Sequence, residues 1–355
     1  MNHTPDVAWP RPRPWLAHLQ PYVAGAPARD RNGSLASNEN ALGPAPRVVT
    51  ALQGPLADAA RYPDALATGL VRKIAAEYSI PEDTILVGNG SDELIQLLVT
   101  AYAAFGGSVV CADPPYQLHE KLPVTLGAEV TKVPLVDWGH DLRTMRGVAA
   151  DIAFLCNPHN PTGALIAVPE VRDFARTSRA SLTVVDEAYI EYADAGHAAS
   201  VIQHAAAGEL AVLRTFSKFY GLAGLRVGYL VADPAIIRTL QAIRLPFSVN
   251  RVAQEAAELS LGDEEHGSGV RENNALLRTE LAELFRRSGY EVLPSQANFV
   301  LVLAEEEEHL VERLREAGIR VRPGTSLGIP GAVRISVPNS VGMEMFRGLP
   351  WLTPN

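Results

Sequence analysis

Cysteine is nearly absent: Cys111 and Cys156 stand far apart, and neither belongs to a CxxC pair. That leaves neither a disulfide framework nor a thiolate metal centre to read. Each thiol closes an apolar run of β type, where a cysteine packs as a small hydrophobe. None of the 9 histidines forms an HxxxH or HExxH pairing, so no metal site is expected. Basic residues are outnumbered, 31 against 40 acidic ones for a net charge of −9. Such a balance argues against a nucleic-acid surface, which needs a basic face. No apolar run is long enough to span a bilayer; the stretch around Leu97 to Ala112 is broken by Gly106-Gly107. Near its start the chain reads Trp9-Pro-Arg-Pro-Arg-Pro-Trp15, where a signal peptide would carry an apolar core. A cytoplasmic protein without membrane or nucleic-acid partners is expected, its Arg-Pro run forming an arm packed on the body.

What is present is a globular composition, 47% hydrophobic and 20% charged, in a chain long enough for two domains. Short apolar runs alternate with segments of helical period. Helices are expected from about Arg47, over Ala65 to Tyr78, Asp92 to Ala104, Gln117 to Gly127 and from about Pro169. Strands are expected over Ile85 to Val87, Ser108 to Ala112, Glu129 to Val133, Ile152 to Cys156, Leu182 to Val185, Leu210 to Leu213 and Val227 to Val231. Strands without polar alternation, separated by helices, indicate an α/β fold with a sheet covered on both faces. A large domain over residues 45–255 follows. Residues 1–44 and 256–355 form the arm and a smaller α+β domain. There, amphipathic helices run from Ala253 to Arg287 with a break near Gly262. Strands follow at Phe299 to Leu303, Ile319 to Val321 and Val333 to Val337, with a helix from Glu305 to Ala317. The glutamates from 305 to 308 suit the positive end of that helix.

The chemistry concentrates where strands end, which is where ligands gather in open α/β sheets. Thr215 to Tyr229 is almost wholly apolar or glycine except for Lys218 and Arg226. A lysine among Phe216, Phe219, Tyr220 and Leu222 is partly desolvated, and desolvation makes its amine available near neutral pH, as a Schiff-base lysine requires. Gly88-Asn-Gly-Ser-Asp-Glu93 lies at a strand-to-helix junction and serves either as a helix cap or as a phosphate cradle. Glu93 stands where a dinucleotide fingerprint would need glycine, which disfavours a nicotinamide enzyme. Tyr116, after Asp113-Pro-Pro, either packs structurally or stacks on a planar ring. Asn157-Pro-His-Asn-Pro-Thr-Gly163 pins Asn160 between two prolines; His159 is the one histidine expected near the site. Asp186 ends a buried strand and needs a cationic or hydrogen-bonding partner. A metal is the rival explanation for Asp186 and Glu187, discounted for want of further ligands. A phosphorylated pyridine aldehyde accounts for all of these together. A lysine condenses with it, an aspartate keeps its ring nitrogen protonated, and Ser91, Asp92, Ser217 and Arg226 surround its phosphate.

With these motifs the sequence resembles the fold-type I pyridoxal-phosphate enzymes, and within them the histidinol-phosphate aminotransferases, from about Leu19 to Val337. The resemblance rests on Ser37-Asn-Glu-Asn40, Arg61-Tyr-Pro-Asp64, Gly88 to Glu93, Asn157 to Gly163, Asp186-Glu-Ala-Tyr189 and Phe216 to Tyr229. It implies an aspartate-aminotransferase-like fold and a pyridoxal 5'-phosphate cofactor joined to Lys218. Asp186 would bind the ring nitrogen, Asn160 and Tyr189 the ring hydroxyl, and Tyr116 the ring face. The phosphate would lie among Ser91, Asp92, Ser217 and Arg226. In a homodimer, Tyr62 would reach the phosphate of the neighbouring subunit. Tyr22, Asn40, Arg322 and Arg334 would contact substrate. The sequence departs from the family at Ala24, Ala26, Ala41, Pro115, Gln117-Leu-His119 and Pro338, all on the substrate side or the arm. The implied activity is transamination between an amino acid and a 2-oxo acid or imidazole-acetol phosphate. The same frame also serves threonine-phosphate-type decarboxylases and amino-acid oxidases or hydroxylases, which remain alternatives here. A ligand sensor fused to a DNA-binding module is set aside, since no basic helix-turn-helix segment precedes residue 40.

Overall fold

A computed structural model of the chain describes residues 13–19, 25, 28–52 and 60–352. Seven strands form the larger sheet: β1 (Ile85–Gly88), β2 (Ser108–Asp113), β3 (Glu129–Pro134), β4 (Ala150–Cys156), β5 (Ala180–Asp186), β6 (Ala211–Thr215) and β7 (Gly228–Val231). Their order is β1-β7-β6-β5-β4-β2-β3. Only β7 runs against its neighbours, pairing antiparallel with both β1 and β6. Alternate residues of each inner strand enter two different cores. Val110, Ala153, Leu155, Val185 and Val212 face one layer of helices; Val109, Ile152, Phe154, Val184 and Leu213 face the other. That is why these strands read as unbroken apolar runs.

Helix boundaries follow local chemistry. The helix expected from Ala65 begins at Thr68, because the Asp64 carboxylate accepts from the N–H groups of Leu66 and Thr68 and holds the intervening residues in a turn. It stops at Tyr78, where Ser79 turns left-handed ahead of Pro81. The short helix Leu142–Gly147, capped by Asp141, has too little apolar repeat to be seen in the sequence.

A second sheet comprises β8 (Glu291–Val292), β9 (Phe299–Leu303), β10 (Arg322–Pro323) and β11 (Ala332–Ser336), all antiparallel in the order β10-β11-β9-β8. The strand expected at Ile319 to Val321 is displaced. Ile319 and Val321 are buried, but Arg320 is tied to Gly33 and Leu35 of the N-terminal segment, and the ladder begins only at Arg322. The second core contains Leu277, Leu281 and Phe285 of the helix Glu264–Arg287, together with Leu310, Leu314, Met343 and Phe346. Leu35 joins it, so the N-terminal segment is built into this layer. Nearer the start, Trp15 packs on the body. Its indole N–H donates to the Thr125 carbonyl at 3.2 Å, and its ring lies against Gly127, where a Cβ would approach to 3.2 Å. Among the described residues no helix is long and apolar enough to cross a membrane.

Candidate active site

The carboxyl ends of β2, β4, β5 and β6 and the start of the helix Gly90–Tyr102 open into one cavity, closed on its far side by β10, β11 and residues 36–38. Lys218, Ser91, Asp92, Tyr116, Asn160, Asp186, Tyr189, Ser217, Arg226, Arg322 and Arg334 all line it. Segments as far apart in the chain as Ala36 and Arg334, 298 residues, thus meet at the place the topology favours for a ligand.

At one end lies an anion cradle. Gly90 has φ +74, and a Cβ there would come within 2.7 Å of Arg226 Nη2; one on Gly228 would lie 2.8 Å from the Ser91 nitrogen. Only glycine lets β7 and Arg226 approach the helix start this closely. Arg226 donates from Nη1 to Ser217 Oγ (3.3 Å) and from Nη2 to Asp92 Oδ2 (2.9 Å), while Tyr116 Oη donates to Asp92 Oδ1 (3.2 Å). The Asp92 side chain therefore holds Arg226 and Tyr116, and the helix start beside Ser91 supplies outward-pointing N–H groups.

Asp186, almost fully buried, sits at the cavity floor. Its Oδ1 accepts from the Ala188 N–H at 3.1 Å, and its Oδ2 meets His119 Nε2 at 3.1 Å. His119 in turn stacks on Phe154, with ring centroids 4.5 Å apart and 5° between planes. Among the described residues it is His119, not His159, that meets Asp186. His159 is buried against Thr162 and the Pro114 carbonyl, and desolvation lowers its pKa to about 4. Helical spacing held the missed clue: His119 lies three residues beyond Tyr116, so both rings project from the start of the helix Gln117–Thr125 and meet edge to face. Glu187 turns the other way. Its carboxylate accepts from Ser200 Oγ and the Val201 N–H and pairs with buried Arg214. The side-by-side carboxylates that suggested a metal point to different environments.

Tyr189 Oη accepts from Asn160 Nδ2 at 3.2 Å and from Asn38 Nδ2 at 3.1 Å. Burial raises the phenol's pKa, so it stays protonated. Asn160 Oδ1 accepts from Arg334 Nη1 at 2.6 Å, and Arg334 Nη2 donates to the Ala36 carbonyl at 2.8 Å. Arg322 stands directly across the β10–β11 ladder from Arg334, so the two buried guanidinium groups share one face. Cys156, expected as a core thiol, is buried and also borders the cavity; its Sγ accepts from the Asn160 N–H at 3.4 Å. Burial and the Asp186 carboxylate keep that thiol protonated.

Lys218 Nζ donates to the Ser37 carbonyl at 2.9 Å and lies 5.9 Å from the Tyr189 ring centroid. Burial first, then the positive charge of Arg334, lower its pKa to about 8. Asn40 does not reach the cavity: its Nδ2 donates to the Phe219 carbonyl at 2.6 Å and its Oδ1 accepts from the Leu42 N–H, tying this segment to the loop beyond Lys218. Asn38, two residues earlier and at φ 56, is the asparagine that faces inward. Tyr62 is 76% exposed, stacks on Phe247 and does not line this chain's cavity. Tyr22 lies outside the described residues.

The donor set fits a phosphorylated pyridine aldehyde. A buried carboxylate suits a pyridine N–H and a phenol with two amides suits a ring oxygen. The glycine-lined cradle suits a phosphate, and a lysine of depressed pKa suits an aldehyde.

A family model for aminotransferases of class I and II matches residues 33–347, and the chain belongs to that family. Within it, the chain is similar to histidinol-phosphate aminotransferases. It is 36% identical to that of Moorella thermoacetica over 360 residues, spanning 97% of this chain and 93% of the relative. It is 37% identical to that of Symbiobacterium thermophilum, spanning 91% and 92%. Among solved structures, the histidinol-phosphate aminotransferase of Sinorhizobium meliloti, in complex with pyridoxal-5'-phosphate, superposes with a TM-score of 0.88. That match has 29% identity and covers 98% of both chains. An aspartate aminotransferase variant of Thermus thermophilus shares the fold at a TM-score of 0.79. The fold is therefore the aspartate-aminotransferase-like, fold-type I architecture.

Proposed function

We propose that this aminotransferase uses pyridoxal phosphate and reversibly moves an amino group from an amino acid, with glutamate the expected donor, to imidazole-acetol phosphate, giving histidinol phosphate and the corresponding 2-oxo acid. The observation that carries the reading is the pair of buried arginines, Arg322 and Arg334, facing Lys218 across the cavity. When bound, the cofactor supplies an aldehyde that condenses with amines and a ring that draws electrons from the adjoining carbon. Asp186, oriented by His119, holds a proton on the ring nitrogen. Tyr189 and Asn160 fix the ring oxygen, and Ser91, Ser217 and Arg226 hold the phosphate. Lys218, as free amine, would take the proton from the substrate's amine-bearing carbon and later give it up again. Arg334, aimed by Asn160 and Ala36, receives an anionic group of the substrate, and Arg322 offers a second cation for a doubly anionic one.

Arg334→Lys keeps the charge but loses the planar fork. Removing a charge-assisted contact worth about 1.5–3 kcal/mol predicts a kcat/KM for histidinol phosphate lower by roughly 10- to 100-fold, with the holoenzyme's visible spectrum unchanged. An unaltered kcat/KM would remove Arg334 from the substrate site.

The homodimer belongs to the same reading. Its support is the exposed stack of Tyr62 on Phe247, with Leu66 and Leu245 also exposed, an apolar group that a monomer would leave in water. Sedimentation of the holoenzyme is expected to give twice the chain mass of 38.1 kDa. Tyr62→Phe is expected to weaken cofactor binding about 10-fold, the loss of one hydrogen bond to a charged group. A stable monomer with full cofactor affinity would contradict both statements.

A further inference from the structure

Of the four consecutive glutamates 305–308, only Glu307 is buried, at 7% exposure. It opens the helix Glu307–Glu316, away from the cavity, and a solvated first-turn carboxylate would have no reason to be inside. Its partners explain the burial. Oε1 accepts from the Thr325 N–H at 3.0 Å, and Oε2 accepts from Thr325 Oγ1 and the Gly331 N–H, both at 2.9 Å. Thr325 and Gly331 are the two ends of the loop joining β10 to β11, so one carboxylate clamps both legs.

The loop is closed at its neck. Gly324 donates to the Ala332 carbonyl at 2.7 Å, and the Gly324 carbonyl accepts from Leu327 and Ile329. A Cβ on Gly324 would lie 2.2 Å from the Ile329 oxygen, so no side chain fits there. Its tip meets the turn that carries Tyr116. Gln117 Nε2 donates to the Ser326 carbonyl at 2.7 Å, and Gly328, at φ +82, comes so close to Pro114 that a Cβ would stand 2.8 Å from the proline's own. Leu327 borders the cavity beside Arg322, the first residue of the strand β10 that leads into this loop. A chain of contacts therefore runs from Glu307 through the loop to the wall opposite the cofactor cradle.

We propose that Glu307 is a positioning residue for the reaction: by clamping residues 325 and 331 it sets where Leu327 and Arg322 meet the far end of the substrate. The inference rests on the aminotransferase reading but not on the identity of the amine. Glu307 itself touches none of the groups that hold the cofactor, and of the loop it clamps the residue that lines the cavity is Leu327, on the side of Arg322, so its loss is expected to act first on substrate affinity.

The test compares Glu307→Gln, which keeps the size but offers a single acceptor oxygen, with the milder Thr325→Val, which removes one donor. KM and kcat are measured for histidinol phosphate and for glutamate in the holoenzyme. Glu307→Gln is expected to raise KM about 10-fold, a loss of uniform binding of the size of one weakened hydrogen bond to a charged group. Thr325→Val, which leaves the two backbone N–H bonds to Glu307 in place, is expected to raise it about 3-fold. In both, kcat stays within about 3-fold and cofactor affinity is unchanged. Unchanged KM in both variants, or a fall in kcat and cofactor affinity without a rise in KM, overturns the proposal. If the wild type converts glutamate but not histidinol phosphate, the substrate reading falls, while the glutamate KM still decides the role of Glu307. Should Glu307→Gln fail to fold, Thr325→Val carries the test alone.

Discussion

Lys218→Ala is expected to abolish covalent cofactor attachment and to lower turnover by at least about 10⁴-fold, the upper range for loss of a positioned acid–base group. The reason lies in the surroundings of the amine. The amine is half-buried against Ser37 and faces Arg334; desolvation disfavours its cation, and the pKa falls from 10.5 to about 8. The sign matters here: a depressed lysine pKa enlarges the neutral, nucleophilic fraction at a given pH. At pH 7.5 roughly a quarter of Lys218 is free amine, against about 0.1% for an ordinary lysine. In the apoenzyme, the rate of condensation with pyridoxal phosphate is therefore expected to rise with pH and level off above about 8. Borohydride reduction followed by peptide mapping should place the cofactor on Lys218 alone. Label on another lysine, or a rate still climbing at pH 10, would refute this account of the site.

Asp186→Asn should cost about 10³-fold in kcat while leaving the cofactor attached to Lys218. A preorganised group facing developing charge in a dry site is worth roughly 10² to 10³, and this one is nearly inaccessible to water. The asparagine is isosteric with Asp186 and can still reach His119, so geometry is largely kept and the negative charge is what disappears. His119→Phe tests the supporting role. It preserves stacking on Phe154 but removes the contact to Asp186 Oδ2, with an expected loss of about 10-fold, the size seen when an orienting partner is lost. Steady-state kcat checks both. Near-normal turnover in Asp186→Asn would mean that the carboxylate does not act on the ring.

The end of the cavity proposed to hold the cofactor was legible in the sequence because its parts are local. Asp186 ends a strand, Gly90-Ser91, Asn160 and Ser217-Lys218 come shortly after one, and the strand's apolar run announces where the turn will face. The substrate side depends on register and long-range packing. Arg322 and Arg334 converge only because β10 and β11 pair one particular way, and the sequence pattern placed that first strand three residues too early. In Ser37-Asn-Glu-Asn40 nothing local tells which asparagine points inward. The left-handed backbone at Asn38 and its bonds to Ser336 and Asn298 decide it. His119 was hidden for another reason: its partner is a carboxylate 67 residues away, and only the helix that begins at Gln117 brings them together. Glu307 looked like one more solvated charge until the loop it clamps was in view.

The central claim is that this cavity moves an amino group from histidinol phosphate by way of a cofactor on Lys218. A single turnover of the holoenzyme with histidinol phosphate, without any oxo acid, tests it most directly. The account predicts one equivalent of the ketone, imidazole-acetol phosphate, per Lys218 site, with no carbon dioxide released and no oxygen consumed. Carbon dioxide release, oxygen uptake, or histidinol phosphate recovered unchanged would contradict it.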